Sequence, residues 1–193
     1  KKDTSGYLDI AKNNPLIHYP HNYYLEEFGN VCFVALDTTI FDKLYFFFKR
    51  GKQIEWLESV VESYKDSCNF SIAVAHHPFF SSGDREKASP QLSTFLEEYV
   101  FGVFDLYITG HNHVLADEGD YLGTTQLISA TGSLPGGSPD TAPENKFNVE
   151  TPGFLKLTFS NTGESNYEFV RSSDGAAIWS KTKKGLGLRV KDS

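Results

Sequence analysis

The sequence predicts an α/β layered fold with a mixed sheet, and three observations carry that reading. Apolar runs of strand length alternate with helically spaced segments over the first two thirds of the chain, an order that builds parallel strands joined by crossover helices. The last third breaks into short alternating segments divided by tight-turn signals, the pattern of an antiparallel meander. The 16 Phe and 10 Tyr suit pleated, half-buried surfaces.

Taken in order, residues 1–30 are polar and rich in Asn and Pro, and Tyr19-Pro20-His21-Asn22-Tyr23-Tyr24 reads as a turn into a short strand. Residues 30–39, NVCFVALDTT, form an apolar run ending at Asp37-Thr38, as a buried strand emptying into a loop would. An aromatic and basic loop is expected over 40–52. Residues 53–65 have helical spacing, with Ile54, Leu57, Val61 and Tyr64 on one face and Glu55, Glu58 and Glu62 on the other. FSIAVA at 70–75 is a second buried strand and stops at His76-His77-Pro78. A Ser/Gly/charged loop over 81–89 follows, and Pro90, suited to a first helical turn, opens a second helix. FDLYIT at 104–109 is a third strand, stopping at Gly110-His111-Asn112-His113, and QLISAT at 126–131 is a fourth. A Gly/Pro/Ser loop spans 132–152. FLKLTFS, NYEFVRS and AAIWSK then read as hairpin strands separated by Asn161-Thr162-Gly163 and Ser173-Asp174-Gly175.

The 193 residues fit one domain, and 39% hydrophobic content is enough for a core. The net charge of −7, with no Lys/Arg-dominated stretch, argues against nucleic acid as a partner. A small anionic substrate remains compatible, because bound metal ions supply local positive charge. The only cysteines are Cys32 and Cys68, so a thiolate zinc site is excluded. They are either one disulfide between neighbouring strands or two buried thiols. No apolar run approaches the roughly 20 residues that span a membrane. Asn69-Phe70-Ser71 is a glycosylation sequon, usable only in a secretory compartment.

Four of the six histidines, His76, His77, His111 and His113, fall at two strand ends. In open α/β sheets ligands bind at the carboxyl ends of strands, and neutral imidazole is the commonest protein ligand for borderline divalent metals. A His-x-His pair on a Gly-led turn can direct both rings at one cavity, with Gly110 supplying backbone freedom. His76, His111 and His113 are therefore expected as metal ligands. His77 is expected to orient a ligand, touch phosphate, or face solvent. His18 and His21 lack such placement and are read as ordinary loop histidines, Asp37 and Thr38 as structural hydrogen-bonders, and Trp56 and Trp179 as packing residues. Since ligation needs neutral imidazole, metal binding should weaken well below about pH 6.5.

The series resembles a known family. GHNH at 110–113 resembles the last motif of calcineurin-like metallophosphoesterases, and AHHP at 75–78 the segment before it. VALDTT at 34–39, QIEWL at 53–57, Tyr23-Tyr24 after Pro20, and LISATGS at 127–133 are similar, in order, to segments of purple (tartrate-resistant) acid phosphatases. The resemblance implies mixed β-sheets packed as a sandwich flanked by helices, of which residues 1–193 would be the C-terminal part of a single domain. It implies hydrolysis of phosphate monoesters, a small phosphorylated substrate, and a metal-bound hydroxide nucleophile. It also implies a dinuclear centre of Fe(III) with Fe(II), Zn or Mn, in which His113 would hold the ferric ion and His76 and His111 the divalent one. A secreted or lysosomal/vacuolar-type compartment follows from the same likeness.

The chain departs from the family in two ways. The family's earlier motifs, which carry the bridging Asp, a second Asp, the colour-giving Tyr and an Asn ligand, do not occur, so activity is expected to need an N-terminal half of the same protein. No histidine follows His76 in the 81–87 loop, where Arg85 is the candidate phosphate contact, set against a solvated charged loop. The competing expectation is a catalytically silent phosphatase-like scaffold or anchoring protein.

Overall fold

The computed structural model describes residues 5–41, 46–81, 88–132 and 147–191. A seven-stranded sheet forms the centre. Its strands are β1 (Tyr24–Phe28), β2 (Val31–Ala35), β3 (Phe70–Ala75), β4 (Leu106–Thr109), β5 (Leu115–Tyr121), β6 (Thr124–Ser129) and β7 (Phe147–Val149), in the order β1-β2-β3-β4-β6-β5-β7. β2, β3, β4 and β6 run parallel, whereas β1, β5 and β7 pair antiparallel at the flanks. A second, antiparallel sheet holds β8 (Gly153–Phe159), β9 (Glu164–Arg171) and β10 (Ala177–Lys184) in the order β10-β9-β8.

Alternate residues of the parallel strands face different layers, which is why these strands read as continuous apolar runs. On β3, Phe70 and Ile72 join Leu106, Leu115, Leu127, Tyr167 and Phe169 in the core between the sheets. Ala73 faces the other way, into a core with Leu57 and Val61 of α2 (Phe47–Tyr64) and with Leu92, Phe95 and Leu96 of α3 (Pro90–Tyr99). Helices, mixed sheet and small sheet thus make the flanked sandwich expected. At the start of α3, Ser89 accepts a hydrogen bond from the Leu92 amide, with Pro90 in the first turn.

Several elements differ from the sequence reading. The helix α1 (Ser5–Asn13) lies in the stretch read only as polar and rich in Asn and Pro, and its Ile10 is 56% exposed. α2 begins at Phe47 rather than Gln53, taking up part of the expected 40–52 loop. β5 was hidden because LADEGDY carries no strand alternation. Its Asp117 is fully buried yet well partnered, receiving Tyr167 Oη at 3.1 Å, Trp179 Nε1 at 3.0 Å and Lys181 Nζ at 2.8 Å. Trp179 also stacks on Phe147 at 4.9 Å, the packing role expected of it.

The C-terminal segment folds back beneath the amino ends of β3 and β4. Asp105 accepts from the amides of Ser71 at 2.9 Å, Leu186 at 3.0 Å and Gly187 at 3.0 Å, and from Arg189 Nη1 at 2.6 Å. Gly187 has φ +72°, and a Cβ there would lie 2.0 Å from the Cys68 carbonyl oxygen, so only glycine fits this crossing.

Cys32 and Cys68 are bonded, with Cα atoms 5.7 Å apart and a sequence separation of 36. Cys68 lies just before β3 instead of level with Cys32 on it. Closing a loop of that length stabilises a fold by about 4 kcal/mol in the chain-entropy picture. Replacing both cysteines with alanine should therefore lower unfolding free energy by about 2–4 kcal/mol in a denaturant titration. An unchanged midpoint would show that the bond constrains nothing.

Candidate metal centre

The carboxyl ends of the adjacent parallel strands β3 and β4 bring three imidazoles together. One ligand atom from each of His76, His77 and His111 lies within 4.8 Å of the others. The ring centroids form a near-regular triangle with sides of 4.7, 4.9 and 5.0 Å. His76 Nε2 and His111 Nδ1 are 3.1 Å apart. The amide of Gly110 donates to the His76 carbonyl at 3.1 Å, continuing the strand pairing as far as the site.

His111 owes its direction to a strained turn. The Asn112 amide donates to the Gly110 carbonyl at 2.8 Å, closing a three-residue turn whose centre, His111, has φ +65°. This left-handed backbone is uncommon outside glycine, though histidine is among the residues that enter it most readily. Among the residues of this turn it is His111, and not the conformationally freer Gly110, that takes the positive φ. The strain is held by its neighbours: Asn112 is 1% exposed and its side chain donates to Ser81 Oγ. The Val114 amide donates to the Asn112 carbonyl at 2.8 Å. Together these bonds anchor the GHNH segment on both sides.

His77 is clamped at three points. Its Nδ1 is 2.8 Å from Thr38 Oγ1, and its amide donates to the same oxygen at 3.3 Å. Its carbonyl accepts from Tyr107 Oη at 2.6 Å. Burial pushes the Tyr107 hydroxyl well above the usual phenol range, so it remains a donor. Thr38, 1% exposed, opens a 3₁₀ turn (Thr38–Phe41) directly after β2. Beyond the pair, the amides of Phe79 and Phe80 donate to Gln126 Oε1 at 2.9 and 3.0 Å, and Gln126 Nε2 returns a bond to the Phe80 carbonyl at 2.7 Å. Gln126, Thr38 and Tyr107 therefore position the site, and none of the three had a sequence signal beyond a polar residue within or at the end of an apolar run.

His113 is half-buried two residues beyond His111 and is not part of the three-imidazole group. Arg85 lies outside the described residues. His18, which lines the cleft beside His76, pairs with Glu26 at 2.5 Å, and His21 packs against Tyr23 at 4.6 Å. A cleft of ≈430 Å³ runs beside His76, lined among others by Ile10, Ile17, Tyr19, Asp37 and Thr38. Asp37 is occupied locally: its amide donates to Gln53 Oε1 at 2.9 Å and its carboxylate receives the Thr39 amide at 3.0 Å.

His76 and His111 suit one borderline divalent ion, since a tetrahedral ion with bonds of about 2.0–2.1 Å holds its nitrogens about 3.3 Å apart, close to their separation of 3.1 Å, whereas the three-imidazole group as a whole spreads to 4.8 Å. The group consists of imidazoles alone among the described residues, with no carboxylate to bridge a pair.

Comparison with known proteins places the fold. No family model matches the chain, and no curated protein matches it. Solved structures do. An anchor protein of the inner membrane complex of Plasmodium, GAP50, superposes with a TM-score of 0.70 at 23% identity, over 90% of this chain and 56% of that one. The purple acid phosphatase PPD1 from yellow lupin (Lupinus luteus) seeds superposes with a TM-score of 0.64 at 19% identity, over 83% of this chain and 32% of that one. The chain thus spans about half of the first of these structures and about a third of the second. With its seven-stranded mixed sheet, second sheet and flanking helices, the chain has a metallophosphoesterase-like fold.

Proposed function

We propose that this chain is the C-terminal part of a metal-dependent phosphomonoesterase of the purple acid phosphatase kind, active when the preceding part of the same protein supplies the remaining ligands. The observation that carries this reading is the convergence of His76, His77 and His111 at the carboxyl edge of the parallel strands, in a fold shared with a purple acid phosphatase. His76 and His111 would hold a divalent ion, Fe(II), Zn or Mn, and His113 would face a ferric ion whose other ligands lie outside these 193 residues. Two such ions would supply charge stabilisation to the attacking and leaving oxygens of an in-line displacement at phosphorus. The chain's own contribution is to orient the imidazoles through Thr38 and the Gly110–Asn112 turn. Arg85 is the candidate phosphate contact. A small phosphate monoester is the substrate class, and the disulfide supports a secretory or lysosomal/vacuolar-type compartment. Among the described residues no helix is long and apolar enough to cross a membrane.

A second reading is favoured by one observation, the likeness to an anchor protein. On that reading the fold serves as a scaffold and turns over nothing. Hydrolysis of p-nitrophenyl phosphate by the full-length protein separates the two. Metal-loaded protein should show turnover that a chelator removes and added metal restores. Folded, metal-loaded protein without turnover would favour the scaffold.

A further inference from the structure

We infer that the Leu157–Phe159 half of β8, on the free edge of the small sheet, is the docking site for an extended strand from the preceding part of the same protein, which would widen that sheet over the bare faces of β1 and β3. The inference shares one premise with the proposed function, the existence of that part, and is independent of any metal. The two sheets are unequal, seven strands against three. The shortfall shows on the face of the large sheet that is turned toward the small one. Phe70, Ile72 and Val74 alternate onto that face of β3. Val74 is nevertheless 36% exposed, although parallel strands are ordinarily covered on both sides. On β1, Phe28 opposes Val31 across the strand pair and lies against Phe33 at 5.4 Å, yet it is 65% exposed. A groove of ≈490 Å³ opens there, lined among others by Phe28, Val31, Phe33 and Phe159.

The backbone of β8 identifies the occupant as a strand. The other edge of the small sheet, β10, is guarded: Lys181, Lys183 and Lys184 stand along it, and its register shifts between Ala177 and Trp179. β8 pairs with β9 from Gly153 to Phe159 without a shift and carries one lysine, Lys156. Its amides at Gly153 and Leu155 point away from β9 and donate to Thr131 Oγ1 at 3.0 Å and Ser129 Oγ at 3.1 Å. The two-residue period turns the amides of Leu157 and Phe159 the same way, beside the aromatic groove. Backbone donors next to apolar surface are what an added β-strand satisfies, with its carbonyls on the edge and its alternate apolar side chains in the groove. The anchor protein that shares the fold extends well beyond the matched region, which is 56% of its length, so the fold accommodates further chain that can supply such a strand.

The test is amide hydrogen exchange in the full-length protein, read residue by residue. The amides of Leu157 and Phe159 should exchange as slowly as those of Lys156 and Thr158, which alternate toward β9; on an open edge they would exchange roughly 100-fold faster or more. Phe28→Lys in the same protein should lower the melting temperature by about 5–10 °C, because the lysine would have to sit beneath the added strand. Fast exchange at Leu157 and Phe159, or a Phe28→Lys melt within about 2 °C of wild type, would overturn the inference. So would protection that is lost on dilution as a dimer dissociates, because a second copy of the chain would then be the occupant. If Phe28→Lys does not fold, the exchange rates of the unsubstituted protein decide alone. Neither readout depends on turnover. Protected amides in a protein that hydrolyses no phosphate ester would overturn the proposed hydrolysis and leave this surface standing, and fast exchange in an active protein would do the reverse.

Discussion

Replacing Asp105 with alanine should cost about 3–5 kcal/mol of stability, the range for breaking a buried ion pair by removing one partner. Asp105 is fully buried and Arg189 largely so. The carboxylate is the meeting point of β3, β4 and the returning C-terminal segment, accepting three backbone amides as well as the guanidinium. Arg189 also donates Nε to the Gly102 carbonyl at 2.9 Å and Nη2 to that of Phe104. Without the carboxylate, the amides and a partly buried cation lose their shared acceptor, and Leu188, 4% exposed, loses its tether to the helical core. For a chain of this size the melting temperature should fall on the order of 10 °C. A loss under about 0.5 kcal/mol would show that the strap is only laid against the sheet.

Removing the His111 imidazole should abolish phosphate-ester turnover by the full-length protein, a loss beyond the roughly 10–100-fold expected when a residue merely orients a ligand. His111 has two roles that one substitution confounds: its ring faces His76, and its backbone occupies the left-handed region. Alanine removes the ring and also strains a turn that asparagine tolerates. His111→Asn should therefore be as inactive as His111→Ala while melting nearer to wild type. Activity retained in His111→Asn would assign the residue to the turn and remove it from the chemistry.

Strand–helix order, the strand-end placement of the histidines and the small antiparallel sheet were legible because each rests on local pattern. β3 reads as FSIAVA because both its faces are buried, and His76 follows because the run stops there. β5 was not legible, since its Asp117 is buried only by virtue of Tyr167, Trp179 and Lys181, some 50 or more residues away. Thr38 was read as a strand-end hydrogen-bonder, and it is one. Its partner, His77, lies 39 residues on and meets it because β2 and β3 are parallel neighbours. His77 joins His76 and His111 in the imidazole group for the same reason, since strands β3 and β4 are parallel neighbours that end side by side.

Elemental analysis of the full-length protein isolated from its source, alongside its intact mass, tests whether this strand edge forms one wall of a metal centre. The expected result is close to two metal ions, iron among them, in a species heavier than these 193 residues or accompanied by a second chain. A folded protein free of metal would refute that reading and give precedence to the scaffold.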